Sequence, residues 1–156
     1  LAARAKIDPK AVFVKIAPDM EFAQVDEIID VVEQVKLTGI VATNATAFKR
    51  EGLKSPNGPE PGGLSGRPIS TMVTQFISHI YRNTRGRLPI IGVGGIFDAY
   101  DAYEKIKAGA NAVQIYTGWI YEGPGAVKRI NKGLLRLLER DGLKQISEAV
   151  GRDVGV

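Results

Sequence analysis

Short apolar runs and longer amphipathic stretches alternate four times along the chain. Ala11-Val12-Phe13-Val14-Lys15-Ile16-Ala17 reads as a strand buried on both faces. After Pro18-Asp19, the residues Phe22, Val25, Ile28, Ile29, Val32 and Val35 recur at the spacing of one helix face. A second strand is expected over Gly39 to Asn44. It leads through a long loop, Ala45 to Arg67, into a helix that opens near Pro68 and turns Ile69, Met72, Val73, Phe76, Ile77 and Ile80 inward. The third unit runs from Pro89-Ile90-Ile91-Gly92-Val93 through Gly94-Gly95-Ile96 into a helix with Asp98 as N-cap. Ala102, Tyr103 and Ile106 face inward there, and Gly109 is the stop. The fourth has Ala112 to Thr117 as strand, a turn at Gly118, and a helix carrying Val127, Ile130, Leu134, Leu135, Leu137 and Leu138 up to Asp141-Gly142. A short amphipathic tail, Leu143 to Val150, follows.

Four consecutive βα units with apolar strands predict a parallel α/β sheet. Residues 1–156 form one domain in this reading, yet they amount to roughly 60% of a (β/α)8 barrel of typical size. Four units cannot close a barrel, so two strand edges and one apolar sheet face are expected to lack partners. A chain of this length that begins at Leu1 without Met is expected to be a portion of a longer protein.

The composition, 44% hydrophobic and 24% charged, is that of a packed globular domain. The net charge of +4 is spread along the chain apart from Arg82, Arg85 and Arg87. Such mild positivity tolerates an anionic ligand and gives little support to nucleic-acid binding. Without cysteine there is no thiol nucleophile, disulfide or thiolate metal site, and the single histidine, His79, leaves little basis for a metal centre. No apolar run approaches the 18 or so residues of a membrane span.

Candidate chemistry gathers at the strand ends. The turn Gly62-Gly63-Leu64-Ser65-Gly66-Arg67-Pro68 follows a buried strand and precedes a helix, an arrangement that aims backbone N–H groups at one spot and suits a phosphate. Gly94-Gly95 and Tyr116-Thr117-Gly118 follow the third and fourth strands, where the last two loops of a barrel form a phosphate site. Lys15 interrupts an apolar strand, which is costly unless its ammonium faces a ligand; the alternative is a lysine snorkelling from an edge strand. Asn44 stands at the end of the second strand, placed either for a ligand or as a turn former. His79, in mid-helix, is better explained as structural than as catalytic. The loop of about twenty residues has the length of a lid or binding loop, and its Gly, Pro, Ser and Asn content predicts mobility unless a ligand orders it.

Five of these segments together resemble the C-terminal half of dihydroorotate dehydrogenase. They are Val14-Lys15-Ile16-Ala17-Pro18-Asp19, Ala42-Thr43-Asn44-Ala45-Thr46, Gly62 to Pro68, Ile90 to Ile96 and Val113-Gln114-Ile115-Tyr116-Thr117-Gly118. The Leu-Ser-Gly-Arg-Pro turn and the Val-Gln-Ile-Tyr stretch resemble the quinone-dependent, membrane-associated class rather than the soluble class.

The resemblance implies the C-terminal half of a TIM barrel, about four βα units plus a C-terminal helix, that holds FMN at its strand ends. The implied reaction oxidises dihydroorotate to orotate in pyrimidine biosynthesis, with hydride passing to FMN and electrons then passing to a quinone. By position, Lys15 matches the lysine that stabilises reduced flavin. Thr43, Gly66, Gly94, Gly95, Tyr116 and Thr117 match cofactor-binding positions. Asn44 matches a substrate-binding residue, and Ala45 occupies a position where many relatives have a substrate-contacting Thr; either Thr46 or water substitutes, or this contact is missing. The family's general base, a serine in the quinone class, belongs to the N-terminal half, which this sequence does not contain, and neither Ser65 nor Ser70 matches it. Implied partners are dihydroorotate or orotate, a quinone, and the N-terminal half of the same enzyme, through which peripheral membrane association would arise. The implied location is the cytoplasmic face of a bacterial inner membrane or the inner mitochondrial membrane. The fragment alone is expected to be inactive. The rival readings are a soluble-class or other FMN barrel oxidoreductase, and a non-catalytic half-barrel that binds phosphorylated ligands.

Overall fold

The computed structural model describes residues 10–48, 50, 52–58 and 60–155; the segment from Leu1 to Lys6 lies outside them. Strands β1 (Phe13–Ile16), β2 (Gly39–Ala42), β3 (Ile90–Val93) and β4 (Ala112–Gln114) form one parallel sheet in the order β1-β2-β3-β4. They are interleaved with helices α1 (Phe22–Gln34), α2 (Ser70–Thr84), α3 (Ala99–Lys107), α4 (Thr117–Glu122) and α5 (Ala126–Arg140). Parallel strands in sequential order, joined by crossovers of one hand, carry their helices on one face of the sheet.

The register explains which strand residues do what. Lys15, Val41, Ile91 and Ala112 are in line across the sheet, as are their neighbours Ile16, Ala42, Gly92 and Val113. Because successive side chains alternate between faces, the second row turns toward the helices, where Ile16, Ala42 and Gly92 are buried. The first row turns to the uncovered face, so Lys15 and Ala112 are exposed and Val41 and Ile91 half-buried. Lys15 therefore does not interrupt a strand buried on both sides. It belongs to the row that meets no helix.

The main core joins Ile16, Ile40, Ala42 and Ile90 of the sheet to Val25, Ile29 and Val32 of α1 and to Val73, Phe76, Ile77 and Ile80 of α2. Each fully buried aliphatic side chain contributes roughly 2 kcal/mol relative to exposure. A second cluster packs Tyr103 and Ile106 of α3 against Leu137 and Leu138 of α5, closed by Leu143, Ile146 and Val150 of the tail. Asp98 caps α3 by accepting from the N–H groups of Tyr100 and Asp101, and Gly109 follows the helix at φ 123°.

Three expectations are corrected. Gly118 is not a turn but lies in the first turn of α4, where a side chain would meet the Ile96 carbonyl oxygen 2.0 Å away. Val127 and Leu135, expected on the inner face of α5, are 50% and 66% exposed. Val35 is likewise 59% exposed, since it lies at the C-cap, past the last turn of α1.

Among the described residues no helix is long and apolar enough to cross a membrane.

Candidate functional site

Parallel strands bring the loops after their C-terminal ends to one rim of the sheet, and at this rim they enclose a cavity of about 370 Å³. That volume lies in the ordinary range of small-molecule sites. Lys15, Thr43, Asn44, Ala45, Gly66, Gly94, Gly95, Tyr116 and Thr117 all line it. Every site residue expected from the sequence is therefore gathered in one place, although the residues come from four strand ends and the long loop.

Two glycines make the close packing of these loops feasible. Gly95 has φ 73°, and a Cβ there would lie 2.4 Å from Ser70 Cβ and 2.6 Å from Ser70 Cα. Gly66 has φ 84°, and its Cβ would come within 3.0 Å of Thr117 Cγ2. Only glycine adopts both the dihedral and the approach without strain. Ser65 Oγ and Thr117 Oγ1 hydrogen-bond at 2.7 Å, tying the long loop to the start of α4. Among the described residues the backbone N–H groups of Gly95 and Ile96 have no acceptor. Those of Thr117 and Gly118 open α4, so no preceding helical turn can accept from them. Four donors thus border the cavity with capacity for an anion.

The polar groups near β1 and β2 are oriented by the backbone. The Asn44 N–H donates to the Ile16 carbonyl at 2.8 Å, which fixes the rim and leaves the Asn44 side chain exposed on the cavity. Thr43 is 1% exposed, and its hydroxyl donates to the Asn44 carbonyl at 2.9 Å. The Ala42–Thr43 peptide bond is cis. Thr46 does not substitute for a hydroxyl at Ala45. It is fully buried, its Oγ1 donates to Asp19 Oδ1, and it pairs with Leu64 in an isolated antiparallel bridge.

Within the described part of the long loop, one side chain gathers several carbonyls. The Arg50 guanidinium donates to the carbonyls of Gly58 (3.0 Å), Glu60 (2.7 Å) and Gly62, drawing the loop into a compact turn.

Sequence reasoning missed Gln114, Ile69 and Ile115 as lining residues. Gln114 was legible in principle as a polar residue within an otherwise apolar strand. His79 lies away from the cavity, stacked on Phe22 at 4.2 Å and bonded to Asp26 Oδ1 at 2.7 Å. Among the described residues no three His, Cys, Asp or Glu side chains come together in a way that could hold a metal ion.

A family model described as dihydroorotate dehydrogenase matches residues 1–138. The chain is 49% identical over 154 residues to the dihydroorotate dehydrogenase (quinone) of Nostoc punctiforme, covering 93% of this chain and 40% of that protein. It is 51% identical over 152 residues to that of Crocosphaera subtropica, with 92% and 40% covered. A crystal structure of DHODH from Eimeria tenella in complex with ferulenol superposes with a TM-score of 0.91 at 39% identity, covering 97% of this chain and 40% of that one. The parallel α/β fold is thus part of the TIM barrel of these neighbours. The chain spans about 40% of the length of the relatives it matches.

Proposed function

Because the chain belongs to the dihydroorotate dehydrogenase family, we propose that it supplies the flavin-holding half of a (β/α)8 barrel that oxidises dihydroorotate to orotate in de novo pyrimidine biosynthesis. FMN would be the hydride acceptor and a quinone the final electron acceptor. The observation that carries this reading is the convergence of nine expected residues on one cavity. The quinone is supported by the name that the relatives share.

The residues present fit FMN. A phosphate needs unpaired donors at close range, and the amides of Gly95, Ile96, Thr117 and Gly118, reached through Gly66 and Gly94, offer them. When bound, FMN supplies the two-electron acceptor that none of this chain's side chains provides. Lys15 would hold an ammonium beside developing negative charge, where one well-placed cation is effective. Thr43 would contact the cofactor, Tyr116 would wall its phosphate end, and Asn44 would bind the substrate ring, with Ala45 leaving room beside it.

Oxidation of dihydroorotate removes a hydride from one carbon and a proton from its neighbour, so a base must take that proton. Ser65 and Ser70 are engaged with Thr117 and Lys105, and neither has a histidine to activate it. The base is assigned to the N-terminal half of the enzyme. The uncovered sheet face and the unpaired edges of β1 and β4 support completion by those strands. Peripheral attachment at a bacterial inner membrane or the inner mitochondrial membrane would come through the same half. The isolated chain is expected to be inactive.

The test is an acceptor assay on the assembled enzyme. Dihydroorotate-dependent reduction of a short-chain quinone, with none of fumarate, is the expected result. Fumarate reduction would move the protein to the soluble class, and a colourless, inactive assembly would leave only a phosphate-binding half-barrel.

A further inference from the structure

Behind the cavity lies a charge that the reaction does not require. Lys105 of α3 has no solvent exposure. Its Nζ donates to the Ser70 carbonyl (3.1 Å), to Ser70 Oγ (2.9 Å) and to Thr74 Oγ1 (2.6 Å), all on the first turns of α2. Gly92 of β3 gives it room: a Cβ at Gly92 would already lie 3.4 Å from Lys105 Cβ and 2.9 Å from Ile77 Cδ1. Ser70 in turn packs directly against Gly95, which lines the cavity. The ammonium is therefore two contacts from the cradle.

Folding alone gives little reason for a cation here. An ammonium taken out of water loses its hydration, and an apolar side chain of similar volume would fill the same space without that loss. Desolvation accordingly pushes the Lys105 pKa below its ordinary value, with Glu104 pulling it part of the way back. Neutralisation is incomplete. Glu104 Oε1 stands 3.5 Å away with half of its side chain in solvent. Asp101 is shared with Arg67 at 3.6 Å and with the N–H groups of Phe97 and Asp98. The ammonium itself lies behind the Gly94-Gly95 turn, on the side away from solvent, whereas Glu104 is half in solvent and its influence is more strongly screened.

We propose that Lys105 is a positioning residue for the cofactor phosphate, clamping Ser70 against Gly95 while its buried charge raises the affinity of the cradle for a dianion. The proposal rests on the flavin reading of the cavity. It separates from a purely structural tie between α3 and α2, because a tie would affect a phosphorylated ligand and its dephosphorylated analogue alike.

The experiment titrates FMN and riboflavin into the apoprotein of the assembled enzyme by flavin fluorescence. Lys105→Met is expected to weaken FMN roughly tenfold or more while riboflavin stays within about twofold. Glu104→Gln, a half-exposed position, removes the partial neutralisation and should tighten FMN about twofold without moving riboflavin. Parallel shifts of both ligands in a folded Lys105→Met protein overturn the proposal. Should that variant fail to fold, the Glu104→Gln ratio decides alone, and an unchanged FMN-to-riboflavin ratio rejects it. If the wild-type protein binds both flavins equally, the phosphate reading of the cavity fails and the role of Lys105 falls with it. A wild-type preference for FMN with unmoved ratios in the variants rejects Lys105 only.

Discussion

The hydroxyls of Ser65 and Thr117 meet at 2.7 Å although 52 positions separate them in the chain. This bond joins the loop after β2 to the helix after β4 on the side where Gly66 approaches Thr117 most closely. It closes the cradle from the solvent side, as Ser70 closes it from the core side. Replacing Thr117 by Val keeps the shape and removes the bond. The expected loss is about 1 kcal/mol of stability, together with several-fold weaker FMN binding in the assembled enzyme. Urea unfolding paired with a flavin titration checks both, and unchanged flavin affinity would remove the tie from the site.

Gly95→Ala and Gly142→Ala form a matched pair. Both glycines have positive φ, 73° and 69°. A Cβ at Gly142 meets nothing within 4 Å, whereas at Gly95 it collides with Ser70. Gly142→Ala should cost about 1 kcal/mol for the dihedral alone. Gly95→Ala should cost a further 1–3 kcal/mol or so for the clash and abolish flavin retention. Equal costs in thermal unfolding would contradict the packing account of the cradle.

Lys15→Ala tests the cation on the open face. Its side chain is exposed and belongs to no core cluster, so folding should be unaffected. Removing one electrostatic stabiliser costs on the order of 3 kcal/mol of barrier, or about a hundredfold in rate. Stopped-flow reduction of the flavin by dihydroorotate measures this, and an unchanged reductive rate would take Lys15 out of the mechanism.

Much of this was legible in the sequence, and the failures have physical causes. Strand positions followed from short apolar runs and helix positions from the 3.6 period, and Asp98, expected as a cap, does accept from Tyr100 and Asp101. Helix α4 was not readable. Its glycine at position 118 signals a turn locally, but it is required by the Ile96 carbonyl, a contact invisible in one dimension. Nor were the contacts of Arg50 with three carbonyls of the long loop readable, because composition carries no information on which side chain meets which backbone group. Lys105 was the quietest signal. It falls between Ala102, Tyr103 and Ile106 on the buried stripe of α3, so its position indicated burial while its type indicated solvent.

The acid limb of stability should depend on Asp141. Its carboxyl is held below the ordinary carboxylate pKa first by the Arg140 guanidinium and then by the Tyr103 hydroxyl, which donates at 2.8 Å. A depressed folded-state pKa means that the unfolded chain binds the proton more readily. The contribution is thus complete above the ordinary carboxylate range and disappears as pH falls through the folded value. Asp141→Asn should flatten the acid-side decline of thermal midpoint against pH. An unaltered profile would show that the Tyr103–Asp141–Arg140 group does not titrate with folding.

One measurement bears most directly on whether this rim is a flavin site: the absorption spectrum of the assembled enzyme, taken with its native mass, in wild type and in Gly95→Ala. The account predicts flavin bands at one FMN per barrel in the wild type, and a colourless but assembled Gly95→Ala protein. A wild type without flavin, or a Gly95→Ala variant that retains full occupancy, would contradict it.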